Sequence, residues 1–198
     1  ATPGVVQAQS LSPADPKVDR VYPYEDRIVF AGTSGQWRTL WGLDPETGAT
    51  TALWPHLSLG PDDTIFREGA FTSEHGLIGV LRQEDGGISL FRTNGRREGT
   101  IVLAHAPSMR ANRIHILGDH EGVVFFNRIG GDQTYGVWET DGTLTGTRHV
   151  FGDIEDAEMT SFAVDASAGK YFGSFTSGRI FRQRAGEREA QQMDLGPE

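Results

Sequence analysis

The chain contains no cysteine, which removes disulfides, thiolate metal ligands and cysteine nucleophiles together. It has no run of 18 apolar residues, so no segment reads as a membrane-spanning helix. Basic residues are outnumbered, 18 Lys and Arg against 27 Asp and Glu, for a net charge of -9. That balance repels a phosphate backbone, and nucleic acid is not an expected partner. The Arg96-Arg97 pair, followed directly by Glu98, reads as a solvated turn. A three-turn amphipathic helix is missing as well. So are the Gly-x-Ser-x-Gly elbow and a Gly-rich phosphate loop ending in Lys-Ser/Thr. Gly130-Gly131-Asp132 is therefore read as a hairpin loop rather than a nucleotide cradle.

What the chain has in abundance is glycine, 26 of 198 residues, roughly twice the usual share. Residues 1–17 are rich in Pro, Ser and Ala and are expected to form an extended arm. The start, ATPGVVQAQSLSPADP, resembles the exposed front of a processed and exported chain. From Val18 onward, short apolar runs alternate with Gly, Asp and Asn turns, the signature of an all-β chain.

Those runs recur. The phrase YGVWETDGTLTGTRHV at 135–150 has earlier forms in TLWGLDPETGATTAL at 39–53 and SLFRTNGRREGTIVL at 89–103, and a worn one in RIFRQRAGEREAQQM at 179–193. Their aromatic anchors, Trp41, Phe91, Trp138 and Phe181, are separated by 50, 47 and 43 residues. Two candidate strands precede each anchor, for example RIHIL (113–117) and GVVFFNR (122–128), and one follows the turn after it. Four antiparallel strands in a meander, repeated at this interval, predict a β-propeller of four four-stranded blades occupying residues 18–198 as one domain. In the motif itself, Trp138 is expected to fill the layer between sheets. Asp141 is expected to accept backbone N–H bonds, and Gly142 and Gly146 to supply positive φ.

The motif resembles a bacterial repeat family whose unit reads roughly Glu-Leu-Trp, two variable residues, Asp-Gly-Thr, two variable residues, Gly-Thr. Val137-Trp138, Asp141-Gly142-Thr143 and Gly146-Thr147 match it in order, as do Leu90, Asn94-Gly95 and Gly99-Thr100. The first copy keeps Leu40-Trp41 and Asp44 but has Pro45 where glycine would sit. The resemblance implies repeated β-sheet architecture, often in exported proteins, and carries no catalytic set. Closure could occur within one chain, or two chains could form an eight-bladed ring.

Chemistry is hardest to find. The polar repetition falls between the first and second strands of each unit: Asp26, Glu74 and His75, then Asp119, His120 and Glu121, then Asp165. Carboxylates brought together from several blades could hold a divalent cation such as calcium, and the histidines would shift the preference toward a transition metal. Ser73-Glu74-His75 does not read as a hydrolase triad, because neighbours in sequence lack the required angles. Asp62-Asp63 and Glu155-Asp156 read as surface charge. Trp37 and Trp54 lie outside the anchor column and are candidate interaction residues. Repeated structural motifs without a repeated catalytic one lead to the expectation of a non-enzymatic binding or assembly scaffold. It would be periplasmic, secreted or on the cell surface, and would engage a protein partner, a second copy or a glycan through its loops. The competing expectation is a metal-assisted hydrolase, or another metal-dependent enzyme, built on the acidic and histidine turns.

Overall fold

The computed structural model describes residues 18–34, 37–54, 65–82, 87–106, 113–129, 135–152, 159–165, 169–174, 177–184, 186–187 and 190–193. The arm at 1–17, Asp62-Asp63, Gly130-Gly131-Asp132 and Glu155-Asp156 lie outside these residues, as does the side chain of Trp37.

Among the described residues there is no helix, and the strands form four antiparallel sheets of four. The first sheet comprises β1 (Val18–Tyr24), β2 (Arg27–Ser34), β3 (Trp37–Leu43) and β4 (Thr50–Ala52). The second comprises β5 (Ile65–Ser73), β6 (Gly76–Arg82), β7 (Ile88–Thr93) and β8 (Ile101–Ala106). The third comprises β9 (Arg113–His120), β10 (Val123–Ile129), β11 (Tyr135–Thr140) and β12 (Arg148–Gly152). The fourth comprises β13 (Ser161–Asp165), β14 (Gly169–Gly173), β15 (Ile180–Gln183) and β16 (Gln191–Gln192). Each sheet is a simple meander, so every strand pairs with its neighbour in sequence.

Consecutive sheets pack face to face, and the alternation of side chains along a strand explains how one meander serves two neighbours. In β10, Val124 and Phe126 join Ile78, Val80 and Leu90 of the second sheet in one buried cluster. Phe125 points the other way and joins Met159, Phe172 and Phe181 toward the fourth sheet. The first and second sheets share Val29, Leu40, Leu77 and Phe91 in the same manner. Each such fully buried side chain contributes about 1.5–3 kcal/mol. Trp138 is half-buried against the second-sheet cluster and lies near Phe126, with ring centroids 6.3 Å apart.

The turn between third and fourth strands is built alike in the second and third sheets. Thr147 Oγ1 donates to Thr143 O at 2.6 Å and lies 2.7 Å from Thr140 Oγ1, which accepts the Gly142 N–H at 3.1 Å. A hydroxyl has a single proton, so Thr140 must donate to Thr147, and the three bonds run in one direction. Thr93, Gly95, Arg96 and Thr100 repeat this arrangement. Asp141 Oδ1 accepts the Thr143 N–H at 2.8 Å and its hydroxyl at 2.7 Å. Burial raises the Asp141 carboxyl, but the Thr143 bonds and the nearby His75 outweigh it, leaving the group below its ordinary value. Gly142 has φ +94°, as its place in the turn demands. Gly146 does not have positive φ. It is glycine for lack of space, since a Cβ there would strike the Asp141 carboxylate. Gly99 stands in the same relation to the Asn94 side chain.

Candidate functional site

Aligning the repeats on these turns makes Gly42, Arg92 and Glu139 equivalent, each one residue past the aromatic anchor on the third strand. Leu40, Leu90 and Val137, two residues earlier on the same strand face, pack toward the following sheet. In the first sheet, Gly42 is covered by the turn of the second sheet: a Cβ there would meet the Gly95 carbonyl. Gly95 in turn lies over Arg27, with a Cβ position 2.6 Å from the Arg27 Cβ. In the second sheet, Arg92 is covered by Gly142 of the third, whose Cβ position lies 3.4 Å from Arg92 Cδ and 2.6 Å from Ser73 Oγ. At both junctions the turn of one sheet sits on the first hairpin of the sheet before it.

The junction between third and fourth sheets differs. A Cβ at Gly186, in the fourth sheet's turn, would meet nothing within 4 Å. Here a cleft of about 850 Å³ opens, lined among others by His120, Glu139, His149, Lys170 and Arg184. Glu139, only 9% exposed, forms part of its wall. Arg148 Nε and Nη2 donate to Glu139 Oε1 at 2.7 and 2.6 Å. Lys170 Nζ stands 3.8 Å from Glu139 Oε2 and 4.6 Å from the centre of the Phe125 ring. His149 lies edge-on to Trp138, with ring centroids 5.3 Å apart. The arrangement therefore offers a buried carboxylate between two cations, with two imidazoles at hand. Such a site can accept hydrogen bonds from a ligand and take up a proton.

Of the acidic and histidine turn residues singled out in the sequence, His120, Glu121 and Asp165 line this same cleft. His120 Nε2 is 3.8 Å from Glu121 Oε2. Asp26 is elsewhere, bonded to Arg96 Nη2 at 2.9 Å. Glu74 and His75 are exposed on the β5–β6 hairpin, and Asp119 is exposed on β9. Among the described residues, no three His, Asp or Glu side chains are placed to hold one metal ion. Ser73 Oγ donates to Gly76 O at 2.8 Å and accepts the His75 N–H at 3.3 Å, so it closes a hairpin. Trp54 is half-buried, lies edge-on to Phe91 at 5.8 Å and gives its carbonyl to Thr39. Glu139 and Arg148 fall at variable positions of the repeat phrase, and Lys170 lies outside it, so none of the three carries a sequence signal of its own. The one available signal was the Gly, Arg, Glu series at equivalent repeat positions.

No family model matches the chain, and no curated protein is found similar to it. Solved structures do match. An uncharacterised protein from Listeria monocytogenes aligns over 94% of this chain and 56% of its own, at 8% identity and TM-score 0.49. An oligogalacturonate lyase in complex with manganese aligns over 92% of this chain and 54% of its own, at 13% identity and TM-score 0.48. The oligogalacturonate lyase of Vibrio parahaemolyticus aligns over 95% and 68%, at 14% identity and TM-score 0.44. The chain thus spans little more than half the length of the first two. At this distance no activity or ligand passes from them to this chain. Enzymes stand among these structures; the expectation of a non-enzymatic protein-binding scaffold is withdrawn because it does not account for the polar cleft between the third and fourth sheets. The physical fault in that expectation is visible in the fold. Repeats account for the turns, whereas the polar cleft arises at the one described junction where the repeat pattern lapses.

Proposed function

We propose that the chain is an enzyme, or the catalytic part of one, acting on a small polar molecule held between its third and fourth sheets. Glu139 serves as the proton acceptor, Arg148 and Lys170 orient it, and His120 and His149 are available for a second proton transfer. The observation that carries this reading is that the buried Glu139 borders a cleft, whereas the next sheet's turn packs against Gly42 and Arg92. The volume lies within the range of about 300–1,000 Å³ common for small-molecule sites. In this reading the four sheets are propeller blades of the repeat family, and the chain is exported, which fractionation of the native cells tests. No helix among the described residues is long and apolar enough to cross a membrane. Incubating the purified chain with a metabolite extract and following depletion by mass spectrometry tests the activity. Conversion should occur with the wild type and fall at least about 100-fold in Glu139→Gln, in line with the loss of a general base. Undiminished conversion by a folded Glu139→Gln refutes the assignment.

A second reading adds a divalent cation, favoured by the meeting of His120, Glu121 and Asp165 at this cleft. It requires side-chain rotation to gather the ligands. Metal analysis of gently purified protein, with activity before and after chelation, separates it from the metal-free reading.

A further inference from the structure

Resting on the reading of this cleft as the substrate site, we propose that its ligand is a neutral polyhydroxylated molecule of the saccharide class. One ligand hydroxyl bridges Glu139 and Lys170.

The argument starts from the unequal use of the two carboxylate oxygens. Glu139 Oε1 takes both bonds from Arg148, at 2.7 and 2.6 Å. Oε2 faces Lys170 Nζ at 3.8 Å, beyond the range of about 2.7–3.2 Å for an N–H···O bond. The two charges are thus near enough to attract and too far apart to bond. Phe125 lies beneath the ammonium at 4.6 Å, and packing holds that ring, which is fully buried. Glu139 is itself nine-tenths buried.

A group seated at this gap must accept from Nζ and donate to Oε2. A hydroxyl does both, having one donor and two acceptor lone pairs. A ligand carboxylate or phosphate could accept from Lys170 but would face the Glu139 charge. An ammonium could donate to Glu139 but would face Arg148 and Lys170. The remaining lining carries Glu121, Asp165 and Glu187 against Arg184, so it offers no positive field to favour an anion. Arg184 Nη1 is 3.8 Å from Glu187 Oε1, and its charge is partly answered there. Both bonds to the bridging hydroxyl are charge-assisted, the stronger class, so a neutral polyol gains here what either ion would lose.

The test uses the full chain and three matched probe sets: neutral disaccharides (maltose, cellobiose, lactose), the acids glucuronate and galacturonate, and the amine glucosamine. Binding is read by calorimetry and by amide shifts of Glu139, Gly169 and Lys170 in NMR spectra. A neutral saccharide should bind and shift these amides. Lys170→Met and Glu139→Gln should each weaken it by about 10–100-fold, the equivalent of one charge-assisted hydrogen bond. If Glu139→Gln fails to fold, Lys170→Met alone carries the test, since that side chain is about one-third exposed. Binding of only the acids, or only the amine, at these amides overturns the neutral class and leaves the cleft standing as the site. Neutral saccharide binding that leaves these amides unmoved overturns the bridge. No shift at these amides with any probe overturns both the class and the cleft.

Discussion

Replacing Gly142 by alanine tests whether the turn after the third strand is a seat between sheets, and Gly186 provides the comparison. Backbone φ is +94° at Gly142 and +83° at Gly186. A Cβ at either therefore costs about 1–2 kcal/mol for a residue held in the left-handed region. At Gly142 it would also lie 2.6 Å from Ser73 Oγ and 3.3 Å from His75 Cβ, whereas at Gly186 nothing lies within 4 Å. Ser73 cannot yield easily, being buried and engaged with both Gly76 O and the His75 N–H. Overpacking of this kind adds about 1–3 kcal/mol. The expected losses are therefore about 2–5 kcal/mol for Gly142→Ala and about 1–2 kcal/mol for Gly186→Ala. Urea unfolding followed by fluorescence and circular dichroism measures both, with the slope held unchanged as the condition for comparing midpoints. A Ser73→Gly background removes the obstructing hydroxyl, so Gly142→Ala should be milder there by about 1 kcal/mol or more. Equal losses at the two glycines, or strict additivity in the double variant, would refute the seat between sheets.

Two further substitutions probe polar groups buried by the fold. The Asn127 side chain is 1% exposed, and neither its Oδ1 nor its Nδ2 has a hydrogen-bond partner. Asn127→Leu should therefore raise stability by about 1 kcal/mol in urea melts, and a loss of that size would reveal a bound water at the amide. Asp141 has a depressed pKa in the fold, so its contribution is present above the ordinary carboxyl value of 3.8 and is lost as pH falls through the lower folded value. Unfolding midpoints measured across that acid range should fall more steeply for the wild type than for Asp141→Asn, and parallel profiles would contradict the assignment.

Turn chemistry and strand alternation act over fewer than ten residues, and the sequence by itself determined them. The aromatic anchors at Trp41, Phe91, Trp138 and Phe181 mark four third strands, each now seen in a four-stranded meander. Asp141 accepting at its turn and Gly142 at positive φ follow equally from local geometry. Gly146 shows where that locality ends. Its lack of a side chain makes room for Asp141, five residues earlier, and is unrelated to its own φ. The cleft lies further still from local reach. Gly42, Arg92 and Glu139 hold the same place in their repeats, yet what each one faces is decided by the following sheet, roughly fifty residues along the chain. Only tertiary packing could decide that the next sheet's turn seats against the first two and that a cleft borders the third. The same holds for Lys170, from β14, meeting Glu139, from β11, across that opening. A carboxylate and an ammonium thirty-one residues apart have no sequence signature as a pair, because their approach depends on how two whole sheets stack.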